Sequence, residues 1–108
     1  MAVSGFLNVN KPTGLTSHDV VARVRRALNI KKIGHAGTLD PLADGVLILC
    51  LGSATRLSEY VMQSTKRYRA RVRLGIVTDT YDAEGQILRQ QDAAFITRAD
   101  VEQALAGF

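Results

Sequence analysis

The chain has 108 residues, enough for one domain that buries roughly two-thirds of its unfolded surface. With 46% hydrophobic and 22% charged residues, the composition excludes a disordered or fibrous chain. A net charge of +4 and a pI near 9.6 favour a polyanionic partner without requiring one.

The first element predicted is a short strand, "GFLNVN" (5–10), closed by a turn at "KPTG". "TSHDVVARVRRAL" (16–28) follows as an amphipathic helix. Thr16 and Asp19 have capping-box spacing, and Val20, Val21, Val24, Ala27 and Leu28 recur at helical period. "GHAGTLDPLADG" (34–45) reads as a glycine-rich loop, and "VLILCL" (46–51) as a central strand too short for a buried helix. "SATRLSEYVMQ" (53–63) fits a second helix with Leu57, Tyr60 and Val61 turned inward.

From Lys66 the period becomes two. Tyr68, Ala70, Val72 and Leu74 alternate with Arg67, Arg69, Arg71 and Arg73, which predicts a strand with one buried and one wet face. "DAEG" turns the chain into a hairpin partner, "QILRQQ", and Thr97 with Asp100 caps a last helix. Strands with interspersed helices and a hairpin give an α+β fold with a mixed, mainly antiparallel sheet and flanking helices.

Cys50 is the single cysteine and cannot form an internal disulfide, so the expected setting is reducing and cytoplasmic. No leader pattern and no run of about 18 apolar residues is present, so no membrane partner is expected. His18 and His35 have no second ligand at metal-binding spacing, and the acidic residues of "TDTYDAEG" fail the register of a calcium loop.

Asp40 is the residue most open to chemistry. Pro41 restricts it to extended backbone, while Gly34 and Gly37 allow turns or close approach upstream. Two readings stand side by side: a carboxylate that caps its own turn by accepting nearby N–H groups, or one held out towards a ligand. His35 is open in the same way between acid or base, stacking group and half-buried imidazole. The arginines from Arg67 and Arg69 onward, with Lys31, Lys32 and Arg56, either track phosphates or form a solvated face. A carboxylate-dependent glycoside hydrolase would need a second carboxyl, which Asp44 or Asp79 would supply.

Taken in series, "NKPTGLTSHDVVARVR", "KKIGHAGTLDPLADGVLILCLGSATRL", "KRYRARVRLG" and "TDTYDAEG" resemble the TruB family of tRNA pseudouridine synthases, from Gly5 to about Gln86. Archaeal and eukaryotic guide-RNA-dependent relatives share the "GTLDP" core, and "RLGIVTDTYDAEG" is closer to the bacterial stand-alone type. The resemblance implies isomerisation of a T-loop uridine of tRNA, conventionally position 55, without metal or cofactor. It implies a catalytic role for Asp40. His35 would fill the space left by a flipped nucleotide, and Tyr68 would stack on the target ring. Lys11 would support the active-site loop, and Asp79 would join an electrostatic network through an arginine. That arginine lies in a "GTYIR"-like segment absent from these residues, as is a PUA-type RNA-binding domain. The chain is thus expected to be the first third or so of a catalytic enzyme that is monomeric at full length, inactive by itself and only marginally stable. The competing class is a non-catalytic RNA-binding fragment.

Overall fold

The computed structural model describes residues 3–108. They divide into two compact units, one ending at Lys66 and the other spanning Arg67–Phe108. The fold is α+β, and every strand pair among the described residues is antiparallel.

The first unit is built on a three-stranded sheet of β1 (Gly5–Lys11), β2 (Ile33–Ala36) and β3 (Gly45–Leu51), in the order β1-β3-β2. The apolar run 46–51 thus lies centrally, as its continuous hydrophobicity demands. In β1, Leu7, Val9 and Lys11 alternate with exposed Phe6, Asn8 and Asn10, and the strand runs one residue further than the pattern suggested. β2 takes Gly34, His35 and Ala36 out of the expected glycine-rich loop, leaving 37–44 as the loop itself. Glycine and alanine carry almost no strand preference; ladder bonds to β3, with His35 opposite Leu49, create this strand.

Helix α1 (Ser17–Leu28) begins at the expected capping box, with Thr16 and Asp19 bonding reciprocally to each other's backbone N–H. It ends on Asn29 in the left-handed conformation. Its Val20 and Val21 pack with Ile33, Leu47, Leu49 and Leu51 as the main core. Leu49 is wholly buried, a state that contributes roughly 1.5–3 kcal/mol for a leucine side chain. The apolar stripe stops at half-buried Val24, while Ala27 and Leu28 are exposed. The chain reverses at Asn29, and Ile30 packs against the core in their stead.

On the other sheet face, Ala36, Cys50 and Ala54 form a second cluster with Ile48 and Val61. The segment after β3 is a 3-10 helix (Gly52–Leu57) followed by a short α2 (Ser58–Met62), rather than one continuous helix. Of the three residues expected to face inward, only Val61 does so. Leu57 and Tyr60 are exposed, because the tighter 3-10 turn rotates the later residues and buries Ala54 in their place. Burial raises the Cys50 thiol above its ordinary range and keeps it protonated, as expected for a core hydrophobe.

The second unit holds the hairpin β4 (Ile76–Thr78) and β5 (Ile87–Gln90) and the helix α3 (Arg98–Leu105), capped by Thr97 and Asp100 as predicted. The hairpin exists, but its first strand is not the alternating segment. Residues 66–73 form no strand, and Tyr68, Ala70, Val72 and Leu74 are as exposed as the arginines between them. Alternation creates a face for burial but supplies no backbone hydrogen bonds. Neither sheet offers this segment a ladder among the described residues. No residue of 67–108 is buried.

Candidate active-site loop

Asp40 sits in the loop that joins β2 to β3, at the end of the sheet where β1 finishes with Lys11. Both of its neighbours are tied down. The Ser17 hydroxyl accepts from the Leu39 N–H at 2.9 Å and donates to the Leu39 carbonyl at 3.1 Å, and the Gly14 N–H donates to the Pro41 carbonyl at 2.7 Å. The turn that follows is closed by backbone alone, Ala43 N–H to Asp40 C=O at 2.9 Å.

The carboxylate of Asp40 itself is exposed, and among the described residues nothing hydrogen-bonds to it. This removes the turn-capping reading. An aspartate whose backbone is held while its carboxylate stays unpartnered is pre-organised for a ligand.

Lys11 lies on the helix-covered face of β1 and is completely buried. Its ammonium donates to the carbonyls of Pro12 at 2.9 Å and Leu15 at 2.7 Å, shaping the connection from which Gly14 reaches Pro41. The lysine is thus linked to the Asp40 loop only through the backbone of residues 12–15. His35 is half-buried at the end of β2, with Nδ1 3.0 Å from the Gly37 carbonyl. A carbonyl can only accept, so the neutral ring carries its hydrogen on Nδ1 and presents Nε2 as an acceptor.

Gly37 has φ +91, and the Lys66 ammonium occupies the space where a side chain would start, with Nζ 2.8 Å from the position of a Cβ. Neither Ser17 nor Lys66 stands out in the sequence as a candidate site residue. Ser17 acts on backbone 22 residues away, a relation no local pattern carries.

The predicted RNA-backbone residues lie elsewhere. Lys32 and Arg56 line an open concavity of about 590 Å³ with Asn29 and Ser53, at the opposite end of the sheet. The length of β3 puts the two ends roughly 20 Å apart. Lys31 is exposed beside it, and its carbonyl accepts from Arg25 Nε at 3.2 Å. Thus Lys11 and Asp40 share one end, Lys31, Lys32 and Arg56 the other, and His35, opposite Leu49, lies between them.

In the second unit, Arg67, Tyr68 and Arg69 are exposed on irregular backbone. The Asp79 carboxylate accepts from the Gln86 N–H at 2.8 Å, closing the hairpin loop. Asp82 accepts from the Thr80 hydroxyl at 2.6 Å and the Glu84 N–H at 2.9 Å; these bonds hold its carboxyl below the usual range. Asp44 is exposed in the same loop as Asp40.

The sequence model of the TruB family pseudouridylate synthases, N-terminal domain, matches residues 25–108. The chain belongs to the TruB family. The TruB relatives include a tRNA pseudouridine synthase B of Clostridium perfringens, 51% identical over 98% of this chain and 36% of its own length. That of Symbiobacterium thermophilum is 56% identical with the same coverages. The chain therefore spans about a third of the length of these curated relatives. A solved H/ACA RNP bound to a substrate RNA containing 2'-deoxyuridine matches 52% of this chain and 18% of its own, at 50% identity and TM-score 0.51. A Cbf5-Nop10-Gar1 complex matches 51% of this chain and 17% of its own, at 51% identity and TM-score 0.50. The likeness to these two structures covers about half of this chain, whereas the matches that cover 98% of it include bacterial tRNA pseudouridine synthases B.

Proposed function

We propose that this chain supplies the catalytic carboxylate of a tRNA pseudouridine synthase, and that Asp40 acts on the T-loop uridine at position 55. The observation that carries the reading is the unpartnered Asp40 carboxylate on a loop bonded on both sides. The relatives' names give the substrate class.

The reaction is an isomerisation: the bond from C1' of the ribose to N1 of uracil breaks, the ring turns, and a bond from C1' to C5 forms. The proton lost at C5 is balanced by one gained at N1, so no co-reactant is consumed. A base inside a folded RNA loop must first be unstacked, at a cost of a few kcal/mol. In this reading His35 occupies the vacated space, with Nε2 available to the displaced nucleotide's neighbours. Tyr68 stacks on the target ring, Lys11 maintains the loop from beneath, and Asp79 belongs to the supporting electrostatic network. Lys31, Lys32, Arg56, Arg67 and Arg69 follow the tRNA backbone.

The test is conversion of uridine in a T-arm stem-loop by the full-length gene product, scored by carbodiimide-dependent primer-extension stops. Asp40→Asn is expected to abolish the stop while leaving RNA binding in place; conversion at the wild-type rate overturns the assignment. The basic concavity, remote from Asp40, favours a second reading for the 108 residues taken alone. They would then be an RNA-binding module whose affinity falls with salt irrespective of Asp40.

A further inference from the structure

We propose that Ser17 is a positioning residue, whose hydroxyl fixes the backbone from which the Asp40 carboxylate projects. This rests on the reading of Asp40 as the catalytic group.

The loop 37–44 has little to hold it in place by itself. It is short of bulk, its glycine at 37 has positive φ, and its acidic side chains are exposed. Ser17, by contrast, is 2% exposed and is the first residue of α1, one turn ahead of Val20 and Val21 in the main core. A hydroxyl has one hydrogen and two lone pairs, so Ser17 can donate to the Leu39 carbonyl and accept from the Leu39 N–H together. Both bonds are present, at 3.1 Å and 2.9 Å. The N–H and the carbonyl of the residue before Asp40 are thereby both bonded to one side chain. Leu39 packs its own side chain against the helix-side core, which fixes the same residue from a second direction.

On the far side of Asp40, Pro41 excludes helical backbone for it and receives the Gly14 N–H. With residues 39 and 41 bonded to the β1–α1 connection and its helix, the Cα–Cβ direction at Asp40 is set. The point from which the carboxylate projects is thereby fixed, while χ1 and χ2 stay free to meet a ligand. Removing the Ser17 hydroxyl releases one of the two anchors and leaves the Leu39 N–H and carbonyl without partners. A residue that served stability alone would change melting and leave turnover per folded molecule untouched. A positioning residue changes turnover.

The experiment compares Ser17→Ala, Ser17→Thr and Asp40→Asn in the full-length gene product, reading kcat, KM, T-arm binding and Tm separately. Ser17→Ala is expected to lower kcat about 10- to 100-fold, the scale of an ångström-sized misplacement, with KM and RNA affinity nearly unchanged. Ser17→Thr keeps the hydroxyl and is expected to recover most of kcat despite its added methyl. Wild-type kcat in folded Ser17→Ala overturns the proposal, as does a loss confined to KM, or a Ser17→Thr variant no better than alanine. If Ser17→Ala does not fold, Ser17→Cys keeps the volume, loses most of the hydrogen bonding, and is judged by the same criteria. Activity surviving in Asp40→Asn removes the catalytic reading and this proposal with it. An inactive Asp40→Asn beside a fully active Ser17→Ala removes the positioning role alone.

Discussion

The ammonium of Lys11 donates to the carbonyl of Leu15 at 2.7 Å, across the turn that ends β1, from a position with no exposed surface. No carboxylate joins it there among the described residues; backbone oxygens of Pro12 and Leu15 are its recorded partners.

Buried ammonium groups carry a desolvation cost, and the two carbonyls belong to residues that water can reach, so a neutral isostere should be tolerated. Lys11→Met is expected to change stability by less than about 1.5 kcal/mol. Lys11→Arg must fit a larger planar group into a filled site and should lose about 1–3 kcal/mol. Urea titrations that rank arginine above methionine in stability would contradict this account.

Gly37→Ala tests the loop from the other side. The Lys66 amine can swing away from an added methyl, but φ +91 remains unfavourable to any L side chain. A loss of about 1–2 kcal/mol is expected from the backbone term. The companion Lys66→Ala variant of the same protein, which leaves that backbone untouched, should melt near wild type.

Acid should loosen the helices by way of their caps. The carboxyls of Asp19 and Asp100 lie below the ordinary range because each accepts the backbone N–H and hydroxyl of its capping threonine, Thr16 and Thr97. A folded pKa below the unfolded one means a contribution fully present above the unfolded value and lost as pH falls through the folded value. Helical circular dichroism should therefore hold at neutral pH and decline in strong acid. In Asp19→Asn the part of that decline due to α1 should be missing.

Amide exchange should divide the chain at Lys66. Leu49 and Cys50 are wholly buried in the central strand and should exchange slowest. Residues 67–108, none of them buried, should exchange quickly and give no sharp melting transition of their own. Strong protection of β4 and β5 in the chain by itself would refute this.

Much of this architecture was legible because it is written locally. The threonine–aspartate spacings announced both capped helices, and the unbroken apolar run at 46–51 announced a central strand. What could not be read depends on partners distant in sequence. β2 borrows its conformation from β3, and the alternating segment at 66–74 has the pattern of a strand without a ladder. The site divides in the same way. "GTLDP" marked Asp40, whereas the Ser17 hydroxyl that grips Leu39 leaves no trace in spacing or composition.

If Lys32 and Arg56 are phosphate contacts, replacing each by glutamine should lower the slope of log affinity against log salt by about one per contact. Turnover at saturating RNA should be unaffected. An unchanged slope would show these side chains to be ordinary solvated cations.

The strand β3 also acts as a ruler. One of its ends opens beside the carboxylate and the other beside the basic hollow, so no free nucleoside can touch both. Any ligand that engages the two together has to reach across roughly 20 Å, and discrimination between a long strand and its monomer is then a matter of reach before it is one of affinity.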